Sequence, residues 1–175
     1  MDPLRKRLIL KEAEKRLRDA EVLEAAGGPG RGDSDYLLRL LALELLLKFH
    51  YEADTGKQPP KNHKYGALFE RLSPGHQSLL LEEAGNRIGP SDLSTRPMNV
   101  LEEWSLNFVL LRYPYEKYKG MTEQEFRGHS DHWLKEGTAL EDADFRYYPE
   151  ELYGFLHALQ TVLPKPSDKA IQDSK

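Results

Sequence analysis

Two arginines stand where phosphate chemistry could use one. Arg127 and His132 lie five residues apart in the run Arg127-Gly128-His129-Ser130-Asp131-His132. An arginine paired with a histidine can cleave RNA without a metal. The imidazole moves a proton at the 2′-hydroxyl or the leaving 5′-oxygen, and the guanidinium stabilises the charged phosphorane. Five residues do not share one face of a regular helix, so a distorted turn is needed to bring this pair together. Arg112 is the other candidate anchor, but Lys117 stands where its histidine would be wanted. Its neighbourhood, Arg112, Tyr113, Tyr115, Lys117, Tyr118 and Lys119, is a basic aromatic patch. Arginine and lysine meet phosphate, and tyrosine stacks on unpaired bases. The plainer alternative for both places is a set of hydrogen-bonded surface groups at a helix end.

Other chemistries find less support. The glycine-rich run Gly27-Gly28-Pro29-Gly30-Arg31-Gly32 follows a helix rather than a strand. It lacks the Lys-Ser/Thr ending of a phosphate-binding P-loop and the GxGxxG pattern. His129, Asp131 and His132 cluster locally, yet zinc usually needs a further protein ligand at a defined distance, and HExxH is absent. A hydrophilic helix end explains that cluster, so no metal and no cofactor is expected. The chain has no cysteine and no GxSxG, which removes thiolate sites, disulfides and the usual nucleophilic triads.

The elements that must position these residues are helices. The 175 residues contain 29 Leu against 4 Val, 3 Ile and 5 Thr. Leucine suits helices, and β-branched residues suit strands, so a β-rich fold is excluded. A first helix is expected from Pro3 to Ala26, with Leu10, Ala13, Leu17 and Ala20 as its buried stripe. Asp33 or Ser34 caps a second, from Asp35 to Ala53. This helix is apolar on nearly every side, the mark of a buried centre. Its Glu44 and Lys48 are spaced for a structural ion pair.

A polar loop from Thr55 to His63 leads to a short helix with Tyr65, Leu68, Phe69 and Leu72 on one face. Ser73-Pro74 opens the next helix, and Gly89-Pro90 stops it. After a loop over Ser91 to Arg96, a helix from Pro97 or Met98 buries Leu101, Trp104, Phe108 and Leu111. Pro114 should end or kink it. Thr122-Glu123-Gln124-Glu125 reads as a capping box. The last helix begins at Pro149, carries Leu152, Phe155, Leu156, Leu159 and Leu163, and ends at Pro164. The expectation is an all-α antiparallel bundle of four long and about two short helices. Residues 1–163 form one domain, and 164–175 form a disordered tail.

Charge and targeting narrow the partners. A net charge of −4 argues against a dedicated nucleic-acid-wrapping protein but leaves room for a local basic site. The chain opens Met-Asp-Pro-Leu-Arg-Lys-Arg, without the apolar run of a signal peptide. The longest apolar stretch, residues 37–49, is broken by Arg39, Glu44 and Lys48 and is too short to span a bilayer. A cytoplasmic protein without a membrane partner is expected.

The order of segments resembles a known family. The run from Tyr36 to Lys48, then Asn62-His63-Lys64-Tyr65-Gly66-Ala67-Leu68-Phe69-Glu70-Arg71-Leu72-Ser73, is similar to the "ALELxLK … G … P … HxLxxLFxxL" pattern of HEPN-domain proteins. Phe108 to Glu116 resembles the "RYxYE" segment of uncharacterised bacterial members. The resemblance implies a HEPN-like antiparallel bundle, often a homodimer. It also implies either a metal-independent RNase of toxin or defence systems, or an inactive or nucleotide-binding accessory partner. Active members carry Arg-x4–6-His at the start of a late helix. Arg112 stands near the expected place without the histidine, whereas Arg127 and His132 have the spacing but come later. The leading expectation is therefore a HEPN-like dimer with an RNA- or nucleotide-binding or accessory role, contacting its ligand through the Arg112 patch. The alternatives are an endoribonuclease using Arg127 and His132, and a protein-interaction module for a toxin or nucleotidyltransferase partner.

Overall fold

A computed structural model describes residues 2–28, 32–128 and 145–162 of the chain. Among the described residues there are helices and no strands, as the leucine excess requires. In chain order they are α1 (Pro3–Ala25), α2 (Ser34–Thr55), α3 (Tyr65–Phe69), α4 (Pro74–Ile88), α5 (Asp92–Thr95), α6 (Pro97–Leu110) and α7 (Pro114–Lys117). The helical residues 123–128 are α8, and α9 is Pro149–Thr161. Five of them reach 13 residues or more, against the four long helices expected. No described helix is long and apolar enough to cross a membrane. The expected tail, residues 164–175, lies outside the described residues.

Boundaries follow local chemistry. Asp2 caps α1 by accepting the Arg5 N–H at 2.9 Å, and Pro3 occupies the first turn, where its missing N–H costs nothing. Thr122 and Glu125 form the expected reciprocal box before α8. The Thr122 N–H donates to Glu125 Oε2 at 2.7 Å, and the Glu125 N–H donates to Thr122 Oγ1 at 3.3 Å. Two short helices were not foreseen. α5 falls in the expected loop, where the Ser91 N–H donates to Ser94 Oγ at 3.2 Å. α7 starts at Pro114, after Tyr113 has left helical geometry as a residue before proline must. Asp33 does precede α2, but its side chain does not cap. It accepts instead from the Tyr147 hydroxyl at 3.0 Å, 114 residues away.

The centre is α2. It packs against α1, α3, α6 and α9, and Leu40, Leu43 and Leu47 on it are wholly buried. Each such leucine contributes about 1.5–3 kcal/mol by leaving water. Apart from Ala20 and Phe49, the buried apolar residues from Ala13 to Leu159 form one cluster, with Trp104 stacked on Phe155 at 6.1 Å. Burial forces the polar groups on the inner faces of α2 to find partners. Arg5 Nε donates to Glu52 at 3.0 Å, tying α1 to α2. The Tyr36 hydroxyl donates to the Tyr147 carbonyl at 2.6 Å and accepts from Asn107 Nδ2 at 3.3 Å. Burial raises the pKa of both tyrosines, keeping their hydroxyls protonated as donors. His50 lies between α4 and α9. One ring nitrogen is 2.7 Å from His76 Nε2 and the other 2.8 Å from the Leu159 carbonyl.

Two glycines test this packing. In α9, a Cβ on Gly154 would sit 2.8 Å from Ile88 Cγ2 and 3.1 Å from its Cδ1, whereas a Cβ on Gly85 in α4 meets nothing within 4 Å. Gly85→Ala should stabilise by about 0.5–1 kcal/mol through helix propensity. Gly154→Ala should destabilise by about 1–3 kcal/mol through overpacking. Thermal unfolding reads both, at roughly 2–4 °C per kcal/mol for a chain of this size. Equal shifts of the same sign would contradict the close α4–α9 contact.

Candidate functional site

Three elements place the site. Glu44 is on α2, His63 is in the loop before α3, and Arg112 follows α6. The local fold fixes each of them. The Tyr65 hydroxyl donates to the Leu40 carbonyl at 3.1 Å, and the Tyr65 N–H donates to Ser105 Oγ at 2.9 Å. These bonds pin the start of α3 to both α2 and α6, and so fix His63 two residues earlier. Burial raises the Tyr65 pKa, with Glu44 adding to the rise and Arg112 opposing it, so the hydroxyl stays a donor.

The Glu44 side chain is only 8% exposed, and both its oxygens are used. Lys48 Nζ donates to Oε1 at 2.5 Å, the ion pair expected from the spacing. His63 Nδ1 lies 2.7 Å from Oε2. A carboxylate only accepts, so Nδ1 carries the proton and Nε2 of a neutral imidazole keeps its lone pair. The His63 side chain is 45% exposed. A carboxylate holding an imidazole in this tautomer is the arrangement of an oriented general base.

Arg112 meets the same spot through Phe108. Its guanidinium carbon lies 4.6 Å from the Phe108 ring centre, and the His63 ring centre lies 4.9 Å from that ring. The buried Phe108 therefore carries a cation–π contact with Arg112 and a tilted ring contact with His63. Arg112 is exposed, as are Tyr113 and Tyr115, whose rings meet edge to face at 6.3 Å. The site is open, aromatic and cationic. The histidine that Arg112 lacks in sequence comes from a loop 49 residues earlier.

The remaining expected residues divide. Tyr118 turns its ring against Phe126 at 4.9 Å and is half-buried. Lys119 is exposed, 3.5 Å from Glu116, and Lys117 belongs to α7. Arg127 forms an ion pair with Glu123 one turn earlier, both largely exposed. His129, Asp131 and His132 lie outside the described residues, so the Arg127–His132 pair does too. Among the described residues, no group of three or more potential ligands is placed to hold a metal. Of the glycine-rich run, residues 29–31 are likewise outside the description.

Charge distinguishes this site from the large cleft of the molecule. That cleft, about 900 Å³, lies where α1 ends and α2 and α9 begin. Glu21, Glu24, Asp33, Asp35 and Glu150 line it, while Arg39, the one cation among its described lining residues, is held by Glu24 at 2.5 Å. It is unsuited to phosphate. Phe108 is touched by His63 and Arg112, each from a stretch of chain without an acid of its own, while Glu44 lies beside His63. Residues 55–69 hold Lys57, Lys61, Lys64 and His63 with no acid, and residues 104–115 hold Arg112 with no acid. Lys57, Lys61 and Lys64 are exposed.

Removing the carboxylate should show its role. Glu44→Gln is expected to cost about 1–3 kcal/mol, the usual range for a charged hydrogen bond. Lys48→Met should cost less than Glu44→Gln, because the Lys48 side chain is less buried than that of Glu44, 20% exposed against 8%. Nitrogen NMR should find His63 protonated at Nδ1 in the wild type and not held there in Glu44→Gln. A wild-type His63 protonated only at Nε2 would contradict the pairing. Compared with known proteins, the chain matches no family model, no curated protein and no solved structure, so function is read from this geometry.

Proposed function

We propose that the protein is a HEPN-like helical protein that binds single-stranded RNA on the face around Phe108. The observation that carries this reading is the meeting on one ring of His63 and Arg112, each from a stretch without an acid, in a chain of net charge −4. Phosphate affinity needs such local concentration of lysine and arginine rather than a basic total. Exposed Tyr113 and Tyr115 supply the faces on which unpaired bases stack. The three stretches that resemble HEPN proteins, 36–48, 62–73 and 108–116, supply Glu44, His63 and Arg112.

Fluorescence anisotropy with a labelled oligouridylate tests it. Saturable binding at low salt should weaken as salt rises, by about 0.7 in log affinity per phosphate contact per decade of salt. Arg112→Ala should lower that slope. Replacing Tyr113 and Tyr115 together by alanine should cost roughly ten- to a hundredfold, the stacking of one or two bases. Absence of saturable binding at low salt overturns the reading.

The Glu44–His63 bond favours a second reading, cleavage of the bound strand. His63 Nε2 takes the 2′-hydroxyl proton, the 2′-oxygen attacks phosphorus, and Arg112 stabilises the phosphorane. The bond from phosphorus to the 5′-oxygen breaks, and that oxygen takes its proton from the imidazolium formed at His63, leaving a 2′,3′-cyclic phosphate and a free 5′-hydroxyl. With EDTA present, His63→Ala should abolish cleavage of labelled RNA and Arg127→Ala should leave it intact. Equal cleavage by wild type and His63→Ala removes this reading.

A further inference from the structure

We infer that His50 and His76 form an acid-sensitive latch that holds the C-terminal end of α9 against α2 and the N-terminal end of α4. The proton positions follow from the partners. The Leu159 carbonyl only accepts, so His50 Nε2 carries a proton and donates to it at 2.8 Å. His50 Nδ1 then keeps its lone pair, and His76 Nε2 must donate across the 2.7 Å between them. The carbonyl is free for this because Leu159 lies in the last turn of α9, where backbone acceptors have no partner in the helix. Two neutral rings thus join three helices through one hydrogen-bond chain.

The chain tolerates limited protonation. One added proton fits on His76 Nδ1 without disturbing either bond. A second puts two N–H groups face to face at 2.7 Å and breaks the link. The surroundings resist even the first. Both rings are buried, and His76 stands in the first turn of α4, where the helix dipole disfavours a cation. Burial pushes the His50 pKa down from 6.5 to about 4 and lowers that of His76 as well.

Neighbouring charges do not offset this. Asp54 on α2 favours protonation, but its carboxylate is already taken by the N–H and hydroxyl of Ser73, at 2.6 and 2.9 Å. Lys6 on α1 lies over the Phe49 ring that abuts His50. Farther along the α4–α9 seam, His157 is 3.3 Å from Glu83.

The native pair binds fewer protons than the opened one. The latch therefore holds above pH 6.5 and is lost as pH falls towards about 4. Each proton taken up changes the opening equilibrium tenfold per pH unit, so two give up to a hundredfold. Opening exposes Leu156, Leu159 and Phe155, the apolar face of α9.

The test is binding of an apolar dye to the full chain from pH 7.5 to 4, with ring-nitrogen NMR at the start. At pH 7.5 both rings should carry their proton at Nε2. Dye binding should rise with a steepness of more than one proton. In His76→Gln, whose amide still donates to His50 Nδ1, the rise should lose about one proton of steepness and move to lower pH. An Nδ1–H on His50 at pH 7.5, or a transition in His76→Gln identical to the wild type, overturns the latch. Should His76→Gln fail to fold at neutral pH, the NMR proton positions of the wild type decide alone.

Discussion

The whole structure depends on one constraint: α2 is buried over most of its surface, and its sequence is not wholly apolar. Glu44, His50 and Glu52 sit on this helix with almost no access to water. An unpaired polar group in such a place costs several kcal/mol, so each fixes something else. Glu52 holds Arg5 and with it α1. Glu44 holds His63 and Lys48. His50 holds His76 and the last turn of α9. The leucines around them stabilise the core without choosing among arrangements, whereas the hydrogen bonds are directional and select one.

The candidate site is a by-product of the same constraint. Glu44 needs donors, and the loop before α3 brings one. The donor is an imidazole, so satisfying a buried carboxylate also fixes a tautomer on a half-exposed ring. Phe108 contributes differently. It belongs to the buried stripe of α6, and its ring gives Arg112 and His63 a common support. Neither contact requires a catalytic purpose. Their coincidence with exposed tyrosines and two acid-free segments is what raises the face above an ordinary polar surface.

Much of the fold was legible in the residues. The 3.6-residue spacing of leucines marked the long helices, and Pro3, Pro74, Pro97 and Pro149 marked where four of them begin. What failed was local and short. α5 depends on a serine pair that reads as loop, and Asp33 gave up its capping role to a tyrosine 114 residues away. The site was half legible. Arg112, Tyr113 and Tyr115 stood out by composition, and the Glu44–Lys48 pair by its i, i+4 spacing. His63 did not, because no periodicity links position 63 to 44 or 112. It entered only as the histidine of the HxLxxLFxxL resemblance, without a role.

The central claim is that RNA meets the protein at Phe108 rather than at the acidic cleft. Photo-crosslinking of a 4-thiouridine oligonucleotide, followed by peptide mapping, tests it most directly. Crosslinks should fall within residues 57–64 and 111–119, with Tyr113 or Tyr115 among the modified residues. Crosslinks concentrated on Tyr36, Tyr147 or Tyr153 of the acidic cleft would contradict it.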